Sequence, residues 1–442
     1  MTPFIVRGKR VVLADGVRPA SIHVAGVRIV DVAAYDDGPA GVCDIDAGDL
    51  VVLPGLVDTH VHINEPGRTD WEGFAHATRA AAAGGVTTLI DMPLNSIPST
   101  TTVDGLEAKR RAAGDQCHVD VGFWGGVVPG NAGHLAPLAR AGVRGFKCFL
   151  SPSGVDEFGH VSEADLRTAL PVLAGLGLPL LVHAEMPAWL REPDGDPHSY
   201  ATWLESRPPQ AEGKAIELIV RLAREYQTPI HVVHLASADA LPTLQAARAS
   251  GLPITVETCP HYLTFAAEDI REGATLLKCA PPIRQRAHRE RLWQALLSGD
   301  INLVATDHSP APPSLKMMAE GDFVRAWGGV ASLQIGLAAV WTSAAPRGAG
   351  FADLAKWLCE APARLAGLSG RKGTIARGAD ADLVLWAPDA EFTVDPANLY
   401  HRHAISPYAG MALGGRVVKT LLRGDVIFDG KTCAGIPGGR FV

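Results

Sequence analysis

From residue 51 onward, short apolar segments alternate with helical stretches for roughly 300 residues, and this alternation restricts the possible folds most. The predicted strands cover residues 51–59, 86–91, 118–128, 143–150, 178–183, 230–234, 254–257 and 301–306. The predicted helices include residues 71–83, 103–113, 163–176, 211–225, 238–250 and 289–297. Strands that alternate with helices in this way predict an α/β protein with a (β/α)8 TIM-type barrel. A doubly wound open sheet is the alternative, but no glycine-rich phosphate fingerprint follows the first strand.

The two ends of the chain have a different pattern, in which short β segments are separated by turn signals. The segments cover residues 10–13, 21–24 and 27–32 near the start and 383–386, 417–423 and 426–428 near the end. We expect both ends to form one small β-sandwich domain. The predicted domains are residues 1–50 and 371–442 for the sandwich and residues 51–370 for the barrel.

The composition excludes several kinds of partner. A net charge of −7 with scattered basic residues argues against nucleic acid and anionic membranes. The cysteines are odd in number and form no CxxC pair, which favours a reducing compartment. They are Cys43, Cys117, Cys148, Cys259, Cys279, Cys359 and Cys433. Because the N-terminal segment also lacks a signal-peptide pattern, we expect a cytoplasmic protein that acts on a small molecule.

Two histidines lie at the end of the first predicted barrel strand, in the sequence His60-Val61-His62. Side chains two residues apart on a strand point to the same side, so both imidazoles can reach one point. Imidazole nitrogens in this arrangement are suited to a metal ion. The motif supplies two ligands at most, so further ligands must come from elsewhere in the chain.

Other ionisable residues occur at the ends of later predicted strands. In a parallel barrel these ends meet at one face, where catalytic groups lie. The resulting set of candidate metal ligands is His60, His62, Lys147, His183, His234 and Asp307. This set exceeds the needs of one tetrahedral ion, so it predicts a site for two divalent metal ions.

Lys147 lies in an apolar strand, where burial and nearby cations lower the pKa of an amine. A neutral amine reacts with carbon dioxide to form a carbamate, whose two oxygens can bridge two metal ions. A lysine paired with a buried acid is the alternative, and spacing alone leaves both open. Among other histidines, His231 is expected to face away from His234, whereas His261 and His308 fit either the site or local hydrogen bonding.

Several motifs occur in an order that resembles the cyclic amidohydrolases of the amidohydrolase superfamily. They are Val57-Asp58-Thr59-His60-Val61-His62, Gly145-Phe146-Lys147, Val182-His183-Ala184-Glu185, His231-Val232-Val233-His234 and Ala305-Thr306-Asp307-His308. The resemblance implies that carboxylated Lys147 bridges two ions. It further implies that His60, His62 and Asp307 hold one ion, while His183 and His234 hold the other. Zinc is expected, with manganese, cobalt or iron as alternatives, and the subunits are expected to form a homotetramer or a homodimer.

Within this family the chain is most similar to the allantoinase branch. The similar segments are 64–74, 91–96, 147–150, 278–284, 326–329 and 406–408. Dihydroorotases have an arginine two residues after the His-x-His pair to hold a substrate carboxylate, and this chain has Asn64 there. Hydantoinases and dihydropyrimidinases have a tyrosine shortly after the bridging lysine, where this chain has Cys148-Phe149-Leu150.

The resemblance implies hydrolysis of the hydantoin ring of allantoin to allantoate, with Asp307 as the catalytic proton carrier. Asn95, Cys279 and Ser309 are the expected substrate-binding residues, Cys279 through the main chain around it. Another cyclic amide hydrolase, such as a hydantoinase, a dihydropyrimidinase or a dihydroorotase, is the enzymatic alternative. A metal-free scaffold of the same fold is the non-enzymatic alternative.

Overall fold

The computed structural model describes residues 3–38 and 43–442. Residues 1–2 and 39–42, which belong to the predicted N-terminal β segment, lie outside the described residues. No helix in the described part of the chain is both long enough and apolar enough to cross a membrane.

The strands and helices are numbered here in chain order. The strands are β1 (Phe4–Leu13), β2 (Gly16–Ala25), β3 (Arg28–Ala33), β4 (Cys43–Asp46), β5 (Val51–Pro54), β6 (Leu56–Val61), β7 (Val86–Asp91), β8 (Asp120–Phe123), β9 (Gly125–Gly126), β10 (Phe146–Phe149), β11 (Leu180–His183), β12 (Ile230–Val232), β13 (Ile254–Thr258), β14 (Leu303–Val304), β15 (Leu383–Thr393), β16 (Ala412–Leu422) and β17 (Asp425–Phe428). The α-helices are α1 (Phe74–Ala83), α2 (Val103–Ala113), α3 (Ala132–Arg140), α4 (Glu163–Leu176), α5 (Tyr200–Ser206), α6 (Pro209–Tyr226), α7 (Leu241–Ala249), α8 (Pro260–Thr264), α9 (Arg286–Ser298), α10 (Gly336–Ala344), α11 (Phe351–Ala355) and α12 (Ala361–Leu365).

Strands β6 to β14 form a closed parallel barrel. One sheet has the order β6-β7-β8 and another has the order β9-β10-β11-β12-β13-β14, while only Trp124 separates β8 from β9. The ring closes through a parallel bridge between Val61 and His308. The amide of His62 also donates a 2.8 Å hydrogen bond to the carbonyl of His308. The predicted (β/α)8 barrel is therefore confirmed.

The apolar run predicted as a single strand over residues 51–59 consists of two strands. Strand β5 pairs with β1 and β15, whereas β6 pairs with β7 in the barrel. The chain passes between the sheets at Gly55, where an added Cβ would lie 2.3 Å from Oγ1 of Thr87. Because both strands are fully buried, they lack the alternation that would have separated them in the sequence.

Both ends of the chain contribute to one eight-stranded sheet. Its order is β17-β16-β15-β5-β1-β2-β3, and β4 pairs with β1 beside this path. The long strand β15 pairs antiparallel with both β16 and β5, so it connects the C-terminal strands to the N-terminal ones. The prediction that both chain ends contribute to one small β domain is confirmed.

A buried ionic cluster joins this sheet to the barrel. The Lys372 ammonium lies 2.7 Å from Asp120, 2.9 Å from Asp380 and 2.7 Å from Asp382, all measured to Oδ2. Asp120 also pairs with Arg423, and all five residues are buried. Asp120 belongs to β8, while Asp382 directly precedes β15. The charges therefore connect the barrel and the terminal sheet in a solvent-free region.

Replacing Lys372 with methionine should lower the free energy of unfolding by about 3–5 kcal/mol, because buried carboxylates would lose their shared cation. Denaturant unfolding followed by circular dichroism measures this change. Lys9→Met is the matched control, because Lys9 pairs with Asp49 at the surface and both side chains are largely exposed. Equal unfolding midpoints for the two variants would contradict a stabilising role for the cluster.

Candidate metal and substrate site

The strand ends place five of the six candidate metal ligands around one cavity of about 270 Å³. Those that line it are His60, His62, His183, His234 and Asp307. The predicted substrate contacts Asn95, Cys279 and Ser309 line the same cavity. Lys147, in β10, is completely buried, and its Nζ lies 5.0 Å from the centre of the Phe149 ring, which lines the cavity. All nine predicted site residues therefore belong to one region at the carboxyl end of the barrel.

The first group of candidate ligands meets at the carboxylate of Asp307. Its Oδ1 lies 3.2 Å from Nε2 of His60 and 3.4 Å from Nε2 of His62. Ligand atoms held at about 2.0–2.2 Å from one tetrahedral ion are separated by about 3.3–3.5 Å. Because both distances are close to these values, the two histidines are placed to share one divalent ion with Asp307.

The second group consists of His183 and His234. Nδ1 of His183 lies 3.0 Å from Nε2 of His234, so the two rings present nitrogen atoms to each other. The opposite nitrogen of His183 lies 2.7 Å from a carboxylate oxygen of Glu185, and Arg207 pairs with the same carboxylate. Glu185 therefore determines which nitrogen of His183 is turned towards His234.

Glu257 has the corresponding role beside His60. One carboxylate oxygen lies 2.5 Å from Nδ1 of His60, and the other lies 2.9 Å from Nε2 of His231. Burial raises the pKa of the Glu257 carboxyl, but His60 and His231 outweigh this effect and lower that pKa to about 2. The ionised Glu257 carboxylate orients the His60 ring. His231 lies outside the cavity and contacts the other oxygen of this carboxylate, so it acts on His60 only through Glu257.

Lys147 has no hydrogen bond or ion pair with any described residue, although its Nζ is buried. Burial lowers the pKa of its ammonium to about 8, and Glu257 and Asp307 oppose this shift only in part. About a tenth of the amine is therefore neutral at pH 7, a far larger share than for a lysine in water. The alternative of a lysine paired with a buried acid has no support in the described contacts.

Several site residues adopt left-handed backbone conformations. The φ angles are 41° for His234, 46° for Asp307, 67° for Asn64 and 65° for Asn95. Non-glycine residues rarely adopt such angles, which cost about 1–3 kcal/mol each. Strained residues of this kind concentrate at functional sites, and three of these four, His234, Asp307 and Asn95, line the cavity.

The substrate side of the cavity carries neutral amide groups. Nδ2 of Asn95 donates a 3.0 Å hydrogen bond to Oδ1 of Asn64, and Nδ2 of Asn64 donates to the carbonyl of Pro310 at 3.3 Å. The carbonyl of Cys279 accepts a 2.9 Å hydrogen bond from the Trp203 indole. Asn95 and Asn64 are therefore held in fixed orientations beside the metal ligands.

Sequence reasoning missed two cations that line the cavity, Arg207 and Lys278. Arg207 pairs with Glu185, and the ammonium of Lys278 donates to the carbonyls of Val324 at 2.9 Å and Ala326 at 2.6 Å. Burial lowers the pKa of Lys278 to about 8. Lys278 is the first residue of the family-like segment 278–284, so the sequence offered it as a candidate. Its pairing could not be predicted, because the carbonyls that it contacts belong to residues 324 and 326.

His308, which follows Asp307, takes part in local hydrogen bonding. Its Nδ1 accepts from the amides of Ser332 at 3.2 Å and Leu333 at 3.3 Å. Burial lowers the pKa of its imidazole to about 3, so the ring is neutral. His308 therefore supports the closing segment of the barrel rather than the cavity.

Comparison with known proteins relates this geometry to a family. The sequence profile described as the Amidohydrolase family matches residues 51–427. An allantoinase from Streptomyces avermitilis is 51% identical over 430 residues, which cover 97% of this chain and 96% of that protein. An allantoinase from Arabidopsis thaliana is 44% identical over 447 residues, which cover 96% of this chain and 88% of that protein.

Solved structures show the same relationship. The structure of an L-hydantoinase (dihydropyrimidinase) from Arthrobacter aurescens matches with a TM-score of 0.94 and 31% identity, covering 100% of this chain and 99% of that one. A dihydropyrimidinase from Brevibacillus agri matches with a TM-score of 0.90 and 28% identity, covering 100% and 98% of the two chains. The family profile covers most of the chain, and the histidines of the site occur in the order that the family motifs predict. The chain therefore belongs to the amidohydrolase family.

Proposed function

We propose that this chain hydrolyses the hydantoin ring of allantoin to give allantoate. The observation that carries the proposal is the similarity to allantoinases over nearly the whole chain, at 51% identity for the bacterial relative and 44% for the plant relative. The hydantoinase structure shares the fold but only 31% of the sequence. The chain is a cyclic amide hydrolase. Allantoin is the proposed substrate because these two relatives are named allantoinases.

Members of the amidohydrolase family generally depend on two metal ions, and the ligand geometry supports such a centre here. In this proposal His60, His62 and Asp307 hold one divalent ion, and His183 and His234 hold the second. A carboxylated Lys147 would contribute an oxygen to each. The donor set of imidazole and carboxylate groups suits zinc, and it also accepts manganese, cobalt or iron.

When bound, the two ions lower the pKa of water and so supply hydroxide near neutral pH. The protein then has to move one proton from the nucleophile to the ring nitrogen that departs. Burial raises the pKa of the Asp307 carboxyl, but His60 and the other neighbouring histidines outweigh this effect and keep that pKa well below its usual range. Asp307 is therefore an ionised carboxylate that can accept the proton and donate it to the nitrogen.

The charge distribution of the cavity supports a neutral ring as the substrate. Among the described residues that line it, the cations Arg207 and Lys278 are already engaged, by Glu185 and by main-chain carbonyls respectively. A substrate carboxylate would therefore find no unpaired guanidinium or ammonium group. Asn95, Ser309 and the main chain around Cys279 are the proposed contacts for the amide and ureido groups of allantoin.

We further propose that the protein is cytoplasmic and forms a homotetramer or a homodimer. The first proposal follows from the cysteine pattern of the sequence, and the second from the resemblance to the cyclic amidohydrolases.

A substrate panel tests the assignment directly. Rates on allantoin, hydantoin, dihydrouracil and dihydroorotate should show the highest kcat/KM for allantoin, as the similarity to allantoinases predicts. Dihydroorotate should be the poorest, because no cation among the described cavity residues is free to pair with its carboxylate. Asp307→Asn is the control for contaminating hydrolases, since its rate should fall on every substrate that the chain itself hydrolyses. A higher kcat/KM on hydantoin or dihydrouracil would replace allantoin in the proposal.

The proton-carrying role of Asp307 gives a separate prediction. Asp307→Asn keeps an oxygen ligand but removes the proton acceptor, so kcat should fall by about 10²–10⁴-fold. Steady-state kinetics and metal analysis on the same preparation separate the loss of the proton carrier from the loss of an ion. Turnover within about tenfold of the parent, roughly 1.4 kcal/mol of barrier, would count against this role.

The carboxylation of Lys147 is tested by metal reconstitution. Metal-free protein should regain bound zinc more completely with bicarbonate present, because carbon dioxide is needed to form the bridging carbamate. Lys147→Arg is the matched control, since its guanidinium remains charged and cannot be carboxylated. Zinc binding that is independent of bicarbonate in the parent, or equal in the two proteins, would contradict the carbamate.

A further inference from the structure

His261 is a buried histidine whose two ring nitrogens have no hydrogen-bond partner among the described residues. It lies in the short helix α8, and only 1% of the residue is exposed. A buried polar group without a partner costs about 1–3 kcal/mol, so such groups are almost always paired in native proteins. Both ring nitrogens are therefore available to a ligand from outside the described part of the chain.

Two other potential ligands lie beside His261. The Cys259 thiol, a ring nitrogen of His261 and a carboxylate oxygen of Asp307 lie within 4.8 Å of one another, and all three residues are buried. Sulfur, nitrogen and oxygen donors in this combination favour zinc and other thiophilic divalent ions. This group shares only Asp307 with the group that contains His60 and His62.

We propose that Cys259, His261 and Asp307 form a further, inhibitory site for a thiophilic divalent cation, such as cadmium or excess zinc. On binding, the S–H bond of Cys259 breaks, Sγ bonds to the ion, and the proton leaves to the buffer. His261 gains the partner that it lacks in the protein alone. The ion would hold the Asp307 carboxylate and so prevent it from accepting a proton.

The inhibitory consequence rests on the proposed function, because it requires Asp307 to carry the proton. Binding of the cation itself does not rest on that function. The two parts therefore need separate measurements, one of them without any substrate.

The binding measurement uses the zinc-loaded protein and adds cadmium. We expect one additional cadmium ion per chain by equilibrium dialysis, together with a near-ultraviolet absorption band from sulfur-to-cadmium charge transfer. Cys259→Ser should lose both signals. Cys359→Ser is the matched control and should keep them, because Cys359 is also buried but its thiol faces the carbonyl of Pro54 at 3.5 Å.

The activity measurement compares cadmium inhibition in each variant with its own rate without cadmium. Loss of a residue that only orients a ligand already weakens metal binding about 10–100-fold, so loss of a ligand should raise the inhibitory concentration at least about tenfold in Cys259→Ser. The value for Cys359→Ser should equal that of the parent. Cadmium that acts by exchange into the proposed two-metal centre would inhibit all three proteins equally.

Absence of the charge-transfer band in the parent, or its persistence in Cys259→Ser, would overturn the proposal. Equal inhibition of Cys259→Ser and the parent would overturn the inhibitory role. If Cys259→Ser does not fold, His261→Gln carries the test, because it retains the thiol and should bind cadmium at least about tenfold more weakly. Unchanged cadmium affinity in His261→Gln would also contradict the site. If allantoin proves not to be the substrate, the absorption measurement still decides whether the ion binds.

Discussion

The hydrogen bond from the His62 amide to the His308 carbonyl, 2.8 Å long, closes the barrel, and the candidate site depends on it. It joins the end of the first barrel strand, β6, to the segment that follows the last one, β14. Closure places Asp307 beside His60 and His62, although these residues lie at opposite ends of the barrel sequence. An open sheet of the same strands would leave the first and last ones at opposite edges. The first group of ligands is therefore a direct consequence of ring closure.

Buried carboxylates then determine how the histidines face the cavity. Glu257 holds Nδ1 of His60, while Glu185 holds Nε2 of His183, so each ring presents its other nitrogen. Burial raises the pKa of both carboxyls. Arg207 and His183 outweigh this effect at Glu185, and His60 and His231 outweigh it at Glu257, so both pKa values lie below their usual range. Within the described part of the chain, Nζ of Lys147 has no such hydrogen-bond partner. The site thus combines oriented imidazoles with a buried amine that has no hydrogen bond to an acid among the described residues.

Most of the barrel strands could be predicted because each is a short apolar run between turns. Strand β7 and helices α2 and α4 have the bounds that the pattern predicted. Helices α3 and α10 were not predicted. Helix α10 has no charged residue and is largely buried, so it lacks a polar face, while α3 is short and contains Pro137. The division of residues 51–59 into β5 and β6 was missed because complete burial removes alternation from both strands.

The sequence by itself determined the barrel and the residues at its strand ends, because parallel strands in a closed ring bring their carboxyl ends to one face. It also identified the family, through motifs that keep their order along the chain. Only the tertiary structure decided which nitrogen of each histidine faces inward, that Lys147 has no hydrogen-bond partner among the described residues, and that Arg207 and Lys278 are already paired. Those properties depend on contacts between distant segments, and a hydrogen bond between side chains leaves no periodic signal in the sequence. The same reason applies to the His261 imidazole. That it has no hydrogen-bond partner among the described residues can be established only from the positions of all its neighbours.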